Sequence, residues 1–158
     1  MTKFDEMFML EAIREAKKAS AVDEVPIGAV VVYDNKIIAR GYNQVETLKD
    51  PTAHAEMIAL TAATSYLSSK WLHECSLYVT IEPCSMCAGA LVLARLGRLC
   101  FGAEDIKAGA CGSVLNIANH KGLNHRLNIQ GNILAEPCAE LISEFFLNKR
   151  KKEIKDSN

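Results

Sequence analysis

The chain of 158 residues predicts an α/β domain, and three observations carry that expectation. Residues 2 to 20 place apolar side chains at helical spacing within a charged stretch. Ile27 to Tyr42 reads as two strands of branched residues around the turn pair Asp34-Asn35. From residue 53 onward, helix and strand signals alternate rather than segregate. The length suits one domain, 1–158, large enough to bury a core of its own.

Taken in order, the first helix is expected to turn Met7, Leu10, Ile13 and Ala16 inward, with Glu6, Glu11, Arg14, Glu15, Lys17 and Lys18 on its other faces. Asp23-Glu24-Val25-Pro26 breaks that pattern, and Ile27–Tyr33 follows as a buried strand. Lys36–Tyr42 is the returning strand of the hairpin. Asn43 comes directly after it. It reads either as a turn residue or as a bidentate amide that a strand end aims at a base or ribose. Residues 44–50 are expected to be polar loop, with Asp50-Pro51-Thr52 as a helix-start signal.

A second helix, about 53 to 68, carries His54 and Glu56 in its first turn and an apolar face of Met57, Leu60, Ala63, Thr64 and Leu67. Cys75–Ile81 is a strand. Pro83 suits the first position of a third helix, which runs to Arg95, and Gly97 closes it. Arg98–Gly102 is a short strand, and a long polar loop of about 103 to 126 follows, a length that points to function. Residues 127–134 hold one more short strand. The last helix, Pro137 to about Lys152, has Leu141, Ile142, Phe145 and Phe146 as apolar contacts. It ends in the basic run Lys149-Arg150-Lys151-Lys152-Glu153-Ile154-Lys155, which reads as a solvated tail or a phosphate-binding patch.

The overall charge narrows the choice of partner. Eighteen basic against nineteen acidic residues leave −1, which excludes a generally basic nucleic-acid binder and still permits a local patch. No apolar run reaches membrane-spanning length, and Met1-Thr2-Lys3-Phe4-Asp5-Glu6 lacks the form of a signal peptide, so a cytoplasmic protein is expected. Six cysteines are too sparse for a disulfide scaffold. Cys75, Cys100, Cys111 and Cys138 read as small core residues.

The other two cysteines carry chemistry. His54-Ala55-Glu56 and, thirty residues on, Pro83-Cys84-Ser85-Met86-Cys87 supply one imidazole and two thiols. Zinc takes these ligands tetrahedrally, and three of them leave a fourth position open for water. Glu56 is too close in sequence to be a comfortable fourth ligand and is placed instead to hydrogen-bond that water, which makes a hydrolytic site. Cys84 and Cys87, three apart at a helix start, share one face near the positive end of the helix dipole, where thiolate is favoured. His-x-Glu with Pro-Cys-x-x-Cys is the pattern of zinc nucleobase deaminases. A redox pair would leave His54 and Glu56 unexplained. A structural zinc site needs a fourth ligand, for which His73, Cys75 and Cys111 are available.

Beyond that motif, from about residue 7 to 155, the chain resembles the bacterial tRNA-specific adenosine deaminases, which convert the wobble adenosine of an anticodon to inosine. The resemblance rests on Glu24-Val25-Pro26-Ile27-Gly28-Ala29-Val30, Gly41-Tyr42-Asn43, Asp50 to Glu56, Leu77 to Cys84, Cys87-Ala88-Gly89-Ala90 and Phe101-Gly102-Ala103. Asn124-His125-Arg126 and the basic tail after Phe145-Phe146 are the parts that point toward tRNA. The resemblance implies a three-layer α/β/α sandwich around a mixed five-stranded sheet, a homodimer, and one Zn2+ per subunit held by His54, Cys84 and Cys87. It further implies that Glu56 shuttles protons and that Asn43 contacts the target nucleoside. Asp105 and Lys107 would lie against the anticodon, and Phe145, Lys149 and Arg150 would take neighbouring bases and phosphates. The expected partner is an arginine tRNA with a wobble adenosine. Cys111 departs from the family pattern, where a small inert residue is expected, and raises a question of redox sensitivity. Two rivals remain: a deaminase of a free base or nucleotide, which has no use for the basic tail, and a non-catalytic zinc module that binds RNA, which has no use for Glu56.

Overall fold

The computed structural model describes residues 2–157. Helix α1 (Lys3–Ala21) leads into strands β1 (Gly28–Tyr33) and β2 (Lys36–Tyr42), a short helix α2 (Val45–Leu48) and helix α3 (Ala55–Leu67). Strand β3 (Cys75–Ile81), helix α4 (Ser85–Leu93), strands β4 (Arg98–Ala103) and β5 (Asn128–Gln130), and helix α5 (Ala135–Asp156) complete the order. The strands form one mixed sheet in the order β2-β1-β3-β4-β5. β1 runs antiparallel to both its neighbours, while β3, β4 and β5 are parallel.

Successive strand residues alternate between the two faces, and this period of two builds the layers. Ala29, Val31, Leu77, Val79, Leu99 and Phe101 pack with Ala59 and Ala63 of α3 and with Ala88 and Leu91 of α4. Val30, Val32, Tyr78 and Cys100 face the other way, toward Met9, Ala12 and Ile13 of α1 and Cys138 of α5. The result is the α/β/α sandwich with a mixed five-stranded sheet that the resemblance implied.

The hairpin closes as expected on a two-residue turn. Asp34 and Asn35 have φ of 50° and 59°, the left-handed pair whose twist matches the flanking strands. A register shift after Val31 leaves Ile38 as the extra residue of a bulge.

On helix α1 the expected face holds for Ile13 and Ala16 and fails for Met7 and Leu10. Met7 and Leu10 are each 52% exposed, while Phe8, Met9, Ala12, Ile13, Ala16 and Ala19 are buried, together with Asp5 and Glu15. Close approach, not bulk, selects this face. A Cβ on Gly28 would lie 2.1 Å from the Ala12 carbonyl oxygen and 2.3 Å from the Ala16 nitrogen, so β1 meets the small-residue side of the helix. Asp5 and Arg98, hydrogen-bonded across the interface, fix the same rotation.

Smaller differences lie at the element ends. Residues 45–48 form α2 inside the expected loop. α4 stops at Leu93 rather than Arg95, and Arg95 itself is left-handed with φ 56°. α5 starts two residues before Pro137 and runs past Lys152 to Asp156. Among the described residues, no helix is long and apolar enough to cross a membrane.

Because β1 is antiparallel to β2 and β3, the start of β1 and the ends of β2, β3 and β4 share one edge of the sheet. The chain leaves β2 and β3 along that edge to begin α3 and α4.

Candidate active site

Helices α3 and α4 each open with a candidate metal ligand. His54 is the N-cap of α3 and Cys84 the N-cap of α4, both with extended backbone (φ −76° and −74°). Pro83 therefore stands one residue before the cap rather than as the first helical residue. Neither cap side chain bonds back to its own helix. They turn toward each other instead, and Cys87, one turn into α4, joins them.

The spacing of the three is that of a metal centre. His54 Nδ1 lies 3.6 Å from Cys84 Sγ and 3.5 Å from Cys87 Sγ. Zinc bonds of ~2.0 Å to nitrogen and ~2.3 Å to sulfur at the tetrahedral angle place N and S about 3.5 Å apart. The residues present thus fit zinc by ligand type and by distance. Of the candidates for a fourth structural ligand, His73, Cys75 and Cys111 all lie outside the cluster among the described residues. A tetrahedral ion held by these three side chains alone would keep one position open.

Proton chemistry within the trio points the same way. Hydrogen bonds from Cys87 and His54 hold the Cys84 thiol down at about 3, well into the thiolate range. The bond to Cys84 in turn raises His54. Cys87, hydrogen-bonded to that thiolate and fully buried, is pushed above the ordinary thiol value. A divalent cation would displace the protons this trio holds, as metal binding does generally.

Glu56 is the second residue of α3 and is 3% exposed. Burial raises its pKa above that of a free carboxyl. Gly41 admits α3 at this depth: a Cβ there would meet the Ala55 carbonyl oxygen at 2.6 Å and the Ala59 nitrogen at 2.9 Å.

The remaining site residues from the sequence fall into three places. Asn43 is 7% exposed on the same sheet edge. Its Nδ2 donates to the Val25 carbonyl at 3.3 Å and its Oδ1 accepts from the Val45 amide at 3.3 Å, so both readings of this residue keep a basis. One amide proton and one lone pair remain for another partner. Asp105 folds its own loop, accepting from the amides of Lys107 (3.0 Å) and Ala108 (3.1 Å), with Lys107 exposed beside it. Phe145 and Lys149 lie elsewhere, in a groove of about 710 Å³ between α5 and the end of α1, with the Lys149 ammonium 5.9 Å from the Phe145 ring. Arg150 is exposed on the same helix. Cys111 is buried, and burial pushes its thiol up to about 12, so it carries no reactive thiolate.

Two buried carboxylates beside the site were given no role by the sequence reading. Glu24, 1% exposed, accepts from the amides of Glu46 (3.0 Å) and Thr47 (2.7 Å) and so holds the start of α2 next to Asn43. Glu82, 2% exposed, takes four hydrogen bonds from the 105–113 segment. The available signal was an acidic residue next to or near a proline where an apolar strand begins or ends.

Comparison with known proteins identifies the family. A model of the MafB19-like deaminase family matches residues 3–150. The tRNA-specific adenosine deaminase of Aquifex aeolicus (strain VF5) is 49% identical over 145 residues, covering 92% of this chain and 95% of that one. Among solved structures, one described under A-to-I editing by tRNA:A34 deaminases at the wobble position superposes with a TM-score of 0.82 at 41% identity, over 85% of this chain and 98% of the other. A guanine deaminase from Bacillus subtilis superposes with a TM-score of 0.63 at 40% identity, over 72% of this chain and 71% of the other. With the deaminase family model matching residues 3–150 and a relative 49% identical over 92% of its length, the chain belongs to the tRNA-specific adenosine deaminases.

Proposed function

We propose that the protein hydrolyses adenosine to inosine at the wobble position of a tRNA anticodon, with zinc at His54, Cys84 and Cys87 and with Glu56 moving the protons. One observation carries this reading: His54, Cys84 and Cys87 come together with N–S spacings that fit tetrahedral zinc, and the buried carboxylate of Glu56 lies two residues past His54 in the first turn of the same helix. Zinc held by His54, Cys84 and Cys87 would supply a Lewis acid that makes an attacking water easier to deprotonate. Cys84 and Cys87 offset the charge of the metal as thiolates. Glu56 accepts a proton from the attacking water and delivers it to N1 of the ring, which makes C6 electrophilic. The hydroxyl now on C6 gives its remaining proton to Glu56, which passes it to the departing amine as the C6 carbonyl forms, so that water and adenosine become ammonia and inosine. The buried setting of Glu56 keeps these transfers away from bulk solvent. An anticodon loop presents the base already partly unstacked, which lowers the cost of bringing it into the pocket.

Around this centre, Asn43 contacts the nucleoside through its free proton and lone pair, and Asp105 with Lys107 forms the rim against the anticodon. Phe145, Lys149 and Arg150 take neighbouring bases and phosphates, with an arginine tRNA as the partner in the cytoplasm. A homodimer is supported by an apolar groove of about 600 Å³ along α3 and α4, lined by Met57, Met86, Leu93, Ile117 and Leu123, in which Leu93 is 79% exposed. Purified protein incubated with an anticodon stem-loop bearing A34 is expected to yield inosine and ammonia in equal amounts.

The likeness to a guanine deaminase favours a second reading, release of ammonia from a free base. That reading gives the exposed cations at 149–152 nothing to do. Guanine and cytidine in the same assay separate the two: turnover of either, with the stem-loop inert, would replace the tRNA reading.

A further inference from the structure

Glu82 sits between strand β3 and the metal-ligand turn, where a charged side chain is unexpected. Its carboxylate is buried, and all four of its hydrogen bonds come from uncharged donors. Oε1 accepts from the Asp105 amide at 3.2 Å and from the Ser113 hydroxyl. Oε2 accepts from the amides of Cys111 at 3.0 Å and Ser113 at 3.1 Å. Bonds of this kind to an ionised acceptor are roughly twice as strong as neutral ones. The donors span nine positions, so one side chain gathers both ends of the segment.

The backbone reinforces the same junction. The Glu82 amide donates to the Ala103 carbonyl, and the Ala110 amide donates to the Pro83 carbonyl, both at 2.8 Å. Gly109 passes so close that a Cβ on it would lie 2.3 Å from Glu82 Oε2. The loop is therefore shaped around the carboxylate, and the next residue but one is the ligand Cys84.

We infer that Glu82 is a positioning residue that clamps the 105–113 segment to the Pro83–Cys84 turn, so that Asp105 and Lys107 meet the substrate in a fixed place relative to the metal ligands. The inference rests on the tRNA reading for its substrate and on the hydrogen bonds alone for its clamp. Gln at this position keeps the volume but replaces one carboxylate oxygen with an NH2, which sets a donor against at least one backbone N–H and removes the charge from the bonds that remain. Ser113→Ala removes a single bond and lies outside the ligand turn.

The test pairs amide hydrogen exchange with steady-state kinetics on the stem-loop, using zinc-loaded full-length protein. In Glu82→Gln the amides of Asp105, Cys111 and Ser113 should exchange at least about tenfold faster. KM should rise about tenfold, the scale of one charge-assisted hydrogen bond, with zinc content unchanged and kcat within about threefold of the parent. Ser113→Ala should move exchange and KM the same way by a smaller factor. Unchanged exchange in both variants overturns the clamp, and faster exchange with parental KM overturns its role toward substrate. If Glu82→Gln loses zinc, Ser113→Ala decides by the same two criteria. If the parent itself makes no inosine, the tRNA reading fails, while exchange that depends on Glu82 and Ser113 still upholds the clamp.

Discussion

Arg98 grips Asp5 with two parallel hydrogen bonds, Nη1 to Oδ1 at 2.7 Å and Nη2 to Oδ2 at 2.9 Å, and so ties the first turn of α1 to the start of β4. The Tyr78 hydroxyl donates to the same Oδ1 at 2.7 Å. Hydrogen bonding from Arg98, ahead of the opposing effect of burial, holds the Asp5 carboxyl well below its ordinary 3.8. A carboxyl with a depressed folded pKa stabilises while ionised. Its contribution is complete above the unfolded value and is lost as pH falls through the folded one. Asp5→Ala should cost about 3 kcal/mol at neutral pH, because it leaves the Arg98 guanidinium without its partner. The gap to the parent should hold from pH 7 to pH 5 and narrow below about pH 4, as read by urea denaturation at several pH values.

Removing a ligand should remove the metal. The parent is expected to carry about one zinc per chain, and Cys87→Ala should lose both zinc retention and inosine formation. Metal analysis beside the activity assay checks this, and full zinc content in the variant would mean that the ligand set is wrong.

Glu56→Gln keeps the size of the side chain but not its basicity. Zinc content and stem-loop affinity should match the parent, while the single-turnover rate falls by ~10² to 10⁴, at or beyond the upper end for a group serving several transfers. Loss of zinc along with activity would make Glu56 a ligand, and a near-parental rate would end the shuttle mechanism.

At the far end of α5, Lys149, Arg150, Lys151 and Lys152 are all exposed. Neutralising the four should weaken tRNA binding and flatten its dependence on salt, with zinc content unchanged. The slope should fall by roughly 0.7 to 0.9 for each phosphate that the protein no longer neutralises. Binding isotherms at several salt concentrations measure it. A parental slope would make the cluster a solvated helix end.

The metal cluster was legible in the sequence because its parts lie within 34 residues and each sits at a helix start, where local signals are strongest. The hairpin was legible for the same reason, since Asp34-Asn35 dictates its turn from two neighbouring positions. What stayed hidden depends on partners far along the chain. The buried face of α1 is chosen by Gly28 and Arg98, so the spacing of Met7 and Leu10 alone pointed to the wrong side. Glu24 and Glu82 find their donors 22 to 31 positions away, and nothing local marks them as buried. Asn43 could not be decided because its two roles use the same amide.

The two helices that present the ligands begin with residues that leave their first turns bare. Positions 54 and 84 already have the extended backbone that Ser, Asp or Asn adopts there, and either substitution would supply the missing side-chain acceptor, a gain of roughly 1 kcal/mol per helix. In the metal-free chain, selection for stability alone would therefore move both positions away from His and Cys, whereas bound zinc, by stabilising the folded state, would hold them in place. A screen for heat resistance run with a chelator present should therefore enrich Ser, Asp or Asn at these two sites, and the same screen run with zinc should select against Ser and Asn there.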